Sequence, residues 1–157
     1  RRRVDVSDVM LSADVTSEID NDLVLLGGPK NNKITHDFLA RVQGTDGAPN
    51  QIDSIIYWEG AEYSAKLGEG VAAQEDFGLI LRWKNPHDPQ RTVMLLSGAS
   101  TYGTIAAALW YVGQRDPTSE QESKSLMQNR YFTALVRSPV TNGRVGVPVL
   151  LKGSALE

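Results

Sequence analysis

The chain has 157 residues, 16 Lys and Arg against 19 Asp and Glu, a formal net charge of −3, and no cysteine. A 41% hydrophobic, 22% charged composition at this length fits one soluble globular domain that removes roughly two thirds of its unfolded surface from water on folding. These numbers exclude a disulfide framework, a thiolate nucleophile and an overall basic field for nucleic acid, and no apolar run approaches the ~18 residues of a membrane helix.

Taken in chain order, Arg1, Arg2 and Arg3 read as a solvated terminus. With no initiator methionine ahead of them, they suggest a fragment of a longer protein with fused or associated domains beyond Arg1. Residues 4–6 read as a short strand, and Thr16 and Ser17 followed by Glu18 as one helical turn. Residues 22–26 hold four apolar residues in a row, the pattern of a strand covered on both faces, and run into Gly27-Gly28-Pro29. Thr35 is a plausible N-cap for a helix through Asp37, Phe38, Leu39 and Val42, broken by the Gly- and Pro-bearing stretch 44–50.

Residues 52–58 and 74–83 are β-rich, with Gly60, Gly68 and Gly70 between them, and the second run stops at Asn85-Pro86-His87-Asp88-Pro89, where two prolines force a turn. A second buried strand, 92–96, leads through a glycine-bearing loop at 97–104 into an apolar helix at 105–112 that Gly113 stops. Trp110 and Tyr111 lie on this helix, which is apolar nearly all round, and belong to the core. A polar stretch follows, with a short helix around 120–127. Two β runs, 131–136 and 145–151, are then joined by Thr141-Asn142-Gly143, a strong hairpin signal. Residues 153–157 read as a tag-derived tail, leaving 1–152 as a single domain.

Strand, glycine loop, capped helix, occurring twice, predicts a Rossmann-like α/β fold: a mostly parallel central sheet with helices on both faces and a C-terminal antiparallel hairpin. In such a sheet the loops at the carboxyl ends of the strands share one edge, and the free amides of the helix starts there attract an anion. That places a ligand at Gly27, Gly28, Asn31, Asn32 and Thr35 on one loop and Ser97, Gly98, Ser100, Tyr102, Gly103 and Thr104 on the other, with Asn85 as a third contributor. Glycines give backbone access, Asn32, Ser100 and Thr104 give hydrogen bonds, and Gly98→Val is expected to abolish binding while leaving the fold mostly intact. The ordinary turn-and-cap use of the same residue types is the competing explanation.

Neither loop has the GxGxxG or P-loop spacing. A nucleophile elbow at Ser100 would need glycine where Tyr102 stands, with His36 or His87 as base and Asp37 or Asp88 orienting it. Glu59 and Glu62, acids among aromatics, offer a carboxylate for N-glycosidase chemistry, against the simpler reading of a solvated turn. No metal site is expected from two histidines and no cysteine, and no cofactor is implied.

The string from Asp22 through Gly27-Gly28-Pro29 to Thr35, with residues 77–86 and 95–104, resembles bacterial Rossmann-like SLOG and TIR-like nucleotide-sensing or nucleotide-processing domains. The resemblance covers about residues 22–112 and implies a nucleotide-derived ligand at the strand ends, in a sensor or effector domain of a larger regulatory or defence protein. No residue matches the catalytic glutamate of the NAD-cleaving relatives. The expectation is therefore a cytoplasmic domain that binds a small anionic, nucleotide-like ligand. The alternatives are an N-glycosidase or other hydrolase acting on such a ligand and a protein interaction module without one. Neither nucleic acid nor membrane is an expected partner, and the chain is compatible with a homo-oligomer.

Overall fold

A computed structural model describes residues 18–68 and 73–157; the arginine cluster, the strand expected at 4–6, Thr16, Ser17 and Gly70 lie outside these residues. In chain order the elements are β1 (Leu23–Leu26), α1 (Lys33–Val42), β2 (Asn50–Ile52), β3 (Ile55–Trp58), β4 (Ala61–Tyr63), β5 (Lys66–Leu67), β6 (Ala73–Lys84), β7 (Thr92–Gly98) and α2 (Thr101–Tyr111). A 3-10 turn (Pro117–Ser119) leads to α3 (Glu120–Gln128), β8 (Phe132–Thr141), β9 (Arg144–Val145) and β10 (Val149–Ala155).

The sheet is not the mostly parallel, Rossmann-like one that the strand–loop–helix pattern predicts. It is a strongly curled half-barrel of seven strands in the order β1-β7-β6-β8-β10, with β5 beside β6 and β9 beside β8, and a separate sheet β2-β3-β4. Among the described residues only β1 and β7 run parallel; β6 is antiparallel to both β7 and β8, and β8 to β10. The cause is the short Asn85–Arg91 link. Parallel neighbours need a crossover of about a dozen residues or more, whereas β6 and β7 are closed by a turn in which Asn85 N–H donates to Arg91 O at 2.9 Å. Nucleotide binding inferred from a Rossmann sheet loses its structural basis with that correction.

Unbroken apolar runs in β6 and β7 reflect burial on both faces, not parallel pairing. On one face Ile80, Met94, Leu96 and Phe132 pack with Ala106, Ala107 and Trp110 of α2 and Leu126 of α3. On the other, Phe38, Leu39 and Val42 of α1 cover Leu81, Trp83, Val93 and Leu95, while Ile56 and Trp58 of the small sheet cover Phe77, Leu79 and Leu135. Residues 153–157, read from the sequence as lying outside the fold, hold a place in it. Gly153, Ser154 and Ala155 pair with Ala134, Thr133 and Phe132, and Leu156 is buried beside α1.

Three glycines bring α2 against the sheet. A Cβ at Gly98 would lie 2.2 Å from Thr104 N, one at Gly103 2.0 Å from Phe77 O, and one at Gly78 2.5 Å from Gly103 O. All three neighbours are backbone atoms, so the helix would have to lift for any side chain to fit. Gly98→Val is therefore expected to lower stability by about 3 kcal/mol or more through overpacking, contrary to the mild effect on folding that the sequence suggested. Urea denaturation followed by circular dichroism reads this directly.

Candidate functional site

Because β1 and β7 are parallel neighbours, their carboxyl ends emerge together, and Gly27 N–H donates to Leu96 O at 2.9 Å. Gly28, Ser97 and Gly98 converge there: a Cβ on Gly28 would be 3.3 Å from Ser97 Oγ and 3.6 Å from Gly98 O. Between them sits Gln51 of β2. Its Oε1 accepts from Ser97 Oγ at 2.6 Å, and its Nε2 donates to Gly98 O at 2.9 Å.

The first loop bonds to itself. Asn32, not Thr35, is the N-cap of α1: its Oδ1 accepts from Thr35 N at 3.1 Å and its Nδ2 donates to Leu26 O at 3.1 Å. Thr35 Oγ1 donates to Gly27 O at 3.1 Å, and the amides of Asn31 and Asn32 turn to Gly28 O at 3.3 and 3.2 Å. Asn31 keeps an exposed side chain.

The second loop is closed by a carboxylate. Asp76, fully buried on β6, accepts from Gly103 N at 2.6 Å and from Ser100 Oγ through one oxygen, and from Phe77 N at 2.8 Å through the other. Ser100 is the N-cap of α2 and in turn accepts from Tyr102 N at 3.2 Å, while Thr104 N donates to Ser100 O at 3.1 Å. An anion at the start of a helix is favoured by the free amides and the dipole there, and here the anion is the protein's own. Tyr102 leans toward the Asn142–Gly143 turn, its hydroxyl 3.6 Å from where a Gly143 Cβ would be.

Asn85 is elsewhere, at the opposite end of the strands. It is buried, donating to Ile19 O and Asn21 O at 2.8 and 2.7 Å and accepting from His87 N at 2.9 Å, so it fastens the segment before β1 to the β6–β7 turn. Neither histidine reaches Ser100: His36 bonds Asp37 at 3.2 Å on the outer face of α1, and His87 stands in the distant turn. Glu59, at φ 52° in the β3–β4 turn, faces solvent and pairs with Lys152 at 2.9 Å. Among the described residues no cluster of His, Cys, Asp and Glu could hold a metal ion.

An open hollow of about 500 Å³ lies beside the β8–β9 turn, lined by Thr141, Asn142, Arg144, Val145 and Gly146, and a smaller, more apolar one lies between α1 and β1, near Asn85. The smaller is half open, about 120 Å³, with walls of Leu23, Leu25, Ile34, Phe38 and Val93, and Asp37, Arg41, Asn85 and His87 among its polar lining. Lys33, four residues before Asp37, pairs with it at 2.7 Å, and together Lys33 and then His36 hold the Asp37 carboxyl below its usual range. Arg41 is four residues after Asp37, yet makes no ion pair or side-chain hydrogen bond among the described residues. Sequence reasoning missed Gln51, Asp76 and Arg41. Of these only Asp76 carried a signal, as an acid opening an otherwise apolar run, which must find donors if buried.

No protein family, curated protein or solved structure matches the chain. The chemistry of the α2 start is open to direct measurement. Asp76→Asn replaces one acceptor oxygen by an amide that meets donors, and is expected to cost about 2 kcal/mol or more. Amide exchange in the first turn of α2 should accelerate along with the loss in global stability.

Proposed function

We propose that this is a binding domain for a small carboxylate-bearing apolar molecule, taken up in the hollow between α1 and β1 and not at the two glycine loops. The observation that carries this reading is Arg41: an exposed cationic residue that, with Asp37, lines an apolar-walled hollow and has no carboxylate partner among the described residues. Burial of a ring against Leu23, Leu25, Phe38 and Val93 supplies affinity, and the charge selects the head group. At the glycine loops the corresponding donors are already used: Ser97 Oγ serves Gln51, Gly103 N serves Asp76, Thr35 N serves Asn32 and Thr35 Oγ1 serves Gly27 O.

Size narrows the ligand. Sites for drug-sized molecules and cofactors occupy roughly 300–1,000 Å³, whereas an apolar cavity near 150 Å³ is enough for a benzene ring. At about 120 Å³ and half open, the hollow suits a single ring or a branched aliphatic chain, with the charged group at the mouth. A whole nucleotide would stand mostly outside it. The Ser100–Asp76 pair supports binding over hydrolysis, because the hydroxyl donates to a carboxylate that two backbone amides also occupy and no imidazole is bonded to it.

Benzoate and benzylamine, matched in shape and opposite in charge, test the proposal in an NMR titration of backbone amides. Benzoate is expected to shift signals around Ile34, Arg41 and Val93 with a Kd of about 1 mM, equivalent to about −4 kcal/mol, while benzylamine leaves them unmoved. Arg41→Gln, at an exposed position, should weaken benzoate about fivefold with no change in melting temperature. Equal shifts from both compounds, or unaltered affinity in the R41Q protein, would remove the assignment.

A further inference from the structure

The outer edge of β1 is built to pair with itself. Since Gly27 N–H donates to Leu96 O and Leu25 stands opposite Leu95, parallel-ladder alternation turns the backbone groups of Leu23, Leu25 and Gly27 toward β7 and those of Val24 and Leu26 outward. Among the described residues no strand lies on that side. The side chains of the same two residues stand at the rim of the face that carries Met94 and Leu96, and they are 67% and 59% exposed although both are large and apolar. Ordinary edge strands are blunted by charge, proline or a bulge, and β1 has none of these within its four residues.

We infer that two copies of this chain associate through antiparallel β1–β1 pairing across a two-fold axis at Leu25. Parity leaves only registers that set outward groups against outward groups, and of these the one centred on Leu25 pairs the two outward residues of β1 with each other. With Leu25 on the axis, Val24 of one copy faces Leu26 of the other, and residues whose N–H and C=O both point outward exchange both bonds in an antiparallel hydrogen-bonded pair. Shifting the register by one residue would set outward groups against inward ones. Leu26 O already accepts from Asn32 Nδ2 at 3.1 Å, but a carbonyl oxygen has a second lone pair to offer.

Charge agrees with the same arrangement. The segment before β1 carries Asp20 and the segment after it carries Lys30, both exposed, and antiparallel pairing about Leu25 brings the Asp20 end of each copy to the Lys30 end of the other. A parallel arrangement would set like charge beside like. Val24 and Leu26 then cover each other across the seam, closing the rim of the apolar face, and the two half-barrel sheets become one continuous sheet through the dimer. A seam this short falls below the ~1,200 Å² of standard interfaces, so the association is weak, with a Kd of about 10⁻⁵–10⁻⁴ M.

Sedimentation velocity of the full chain from about 10 to about 500 µM brackets that affinity. The expected result is a sedimentation coefficient that rises with concentration, weakened at least about tenfold by Val24→Lys or Leu26→Lys, whose exposed positions leave the circular dichroism spectrum unchanged. Lys30→Glu should weaken it too, and adding Asp20→Lys to Lys30→Glu should restore it, a rescue that only the antiparallel register produces. A chain that stays monomeric throughout overturns self-pairing and leaves the edge to an extended segment of another protein. A dimer indifferent to V24K and L26K, or a charge swap without rescue, overturns the β1 seam.

Discussion

The backbone contact between α2 and the sheet at Gly78, Gly98 and Gly103 is the constraint from which the rest of this structure follows. Two of these glycines are on adjacent strands and the third is in the first turn of the helix, so their hydrogens are what let α2 sink until helix backbone touches strand backbone. At that depth Gly103 N comes within reach of Asp76, and Ser100 can cap the helix while donating to the same carboxylate. Ala106 and Ala107, small residues one turn on, continue the close approach until Trp110 fills the wider space beyond.

A helix start and a buried carboxylate each carry a cost in isolation. The first leaves amides without partners, and the second strips an anion of its water, worth several kcal/mol for an unpaired charge. Together each offsets part of the other's cost. The partial positive charge of about +0.5 at the N-terminus of α2 meets a full negative charge at hydrogen-bond distance, in a region from which solvent is excluded. Gln51 does the equivalent for Ser97 and Gly98 with a neutral amide. What would have been an anion-binding edge thus becomes a joint that fixes the small sheet and α2 to the large one.

The local signals in the sequence were readable and the global topology was not. Strand ends, glycine turns and helix positions could be placed from apolar runs and breakers, and the Asn142–Gly143 turn has φ of 50° and 71°, as its residue types require. The adjacency of the loops after β1 and β7 could be guessed, because two strands each followed by a helix on opposite faces favour a parallel pair. The direction of β6 could have been argued too, since the stretch with Pro86 and Pro89 is too short for a crossover. The depth of the α2 contact, by contrast, depends on three glycines brought together from residues 78, 98 and 103, a coincidence that no window of sequence displays. Likewise Gln51 and Arg41 look like any surface polar residue until the fold decides that one is buried and the other is not.

The strand β10 closes the sheet with residues 149–155, and Leu156 then packs against α1, more than a hundred positions earlier in the chain. During synthesis, then, helix α1 and the neighbouring wall of the core wait for more than a hundred further residues to be translated before Leu156 is available to them. Until that moment the nascent domain carries an open flank along β8, and holding it apart from other chains becomes a matter for the translation machinery and its chaperones.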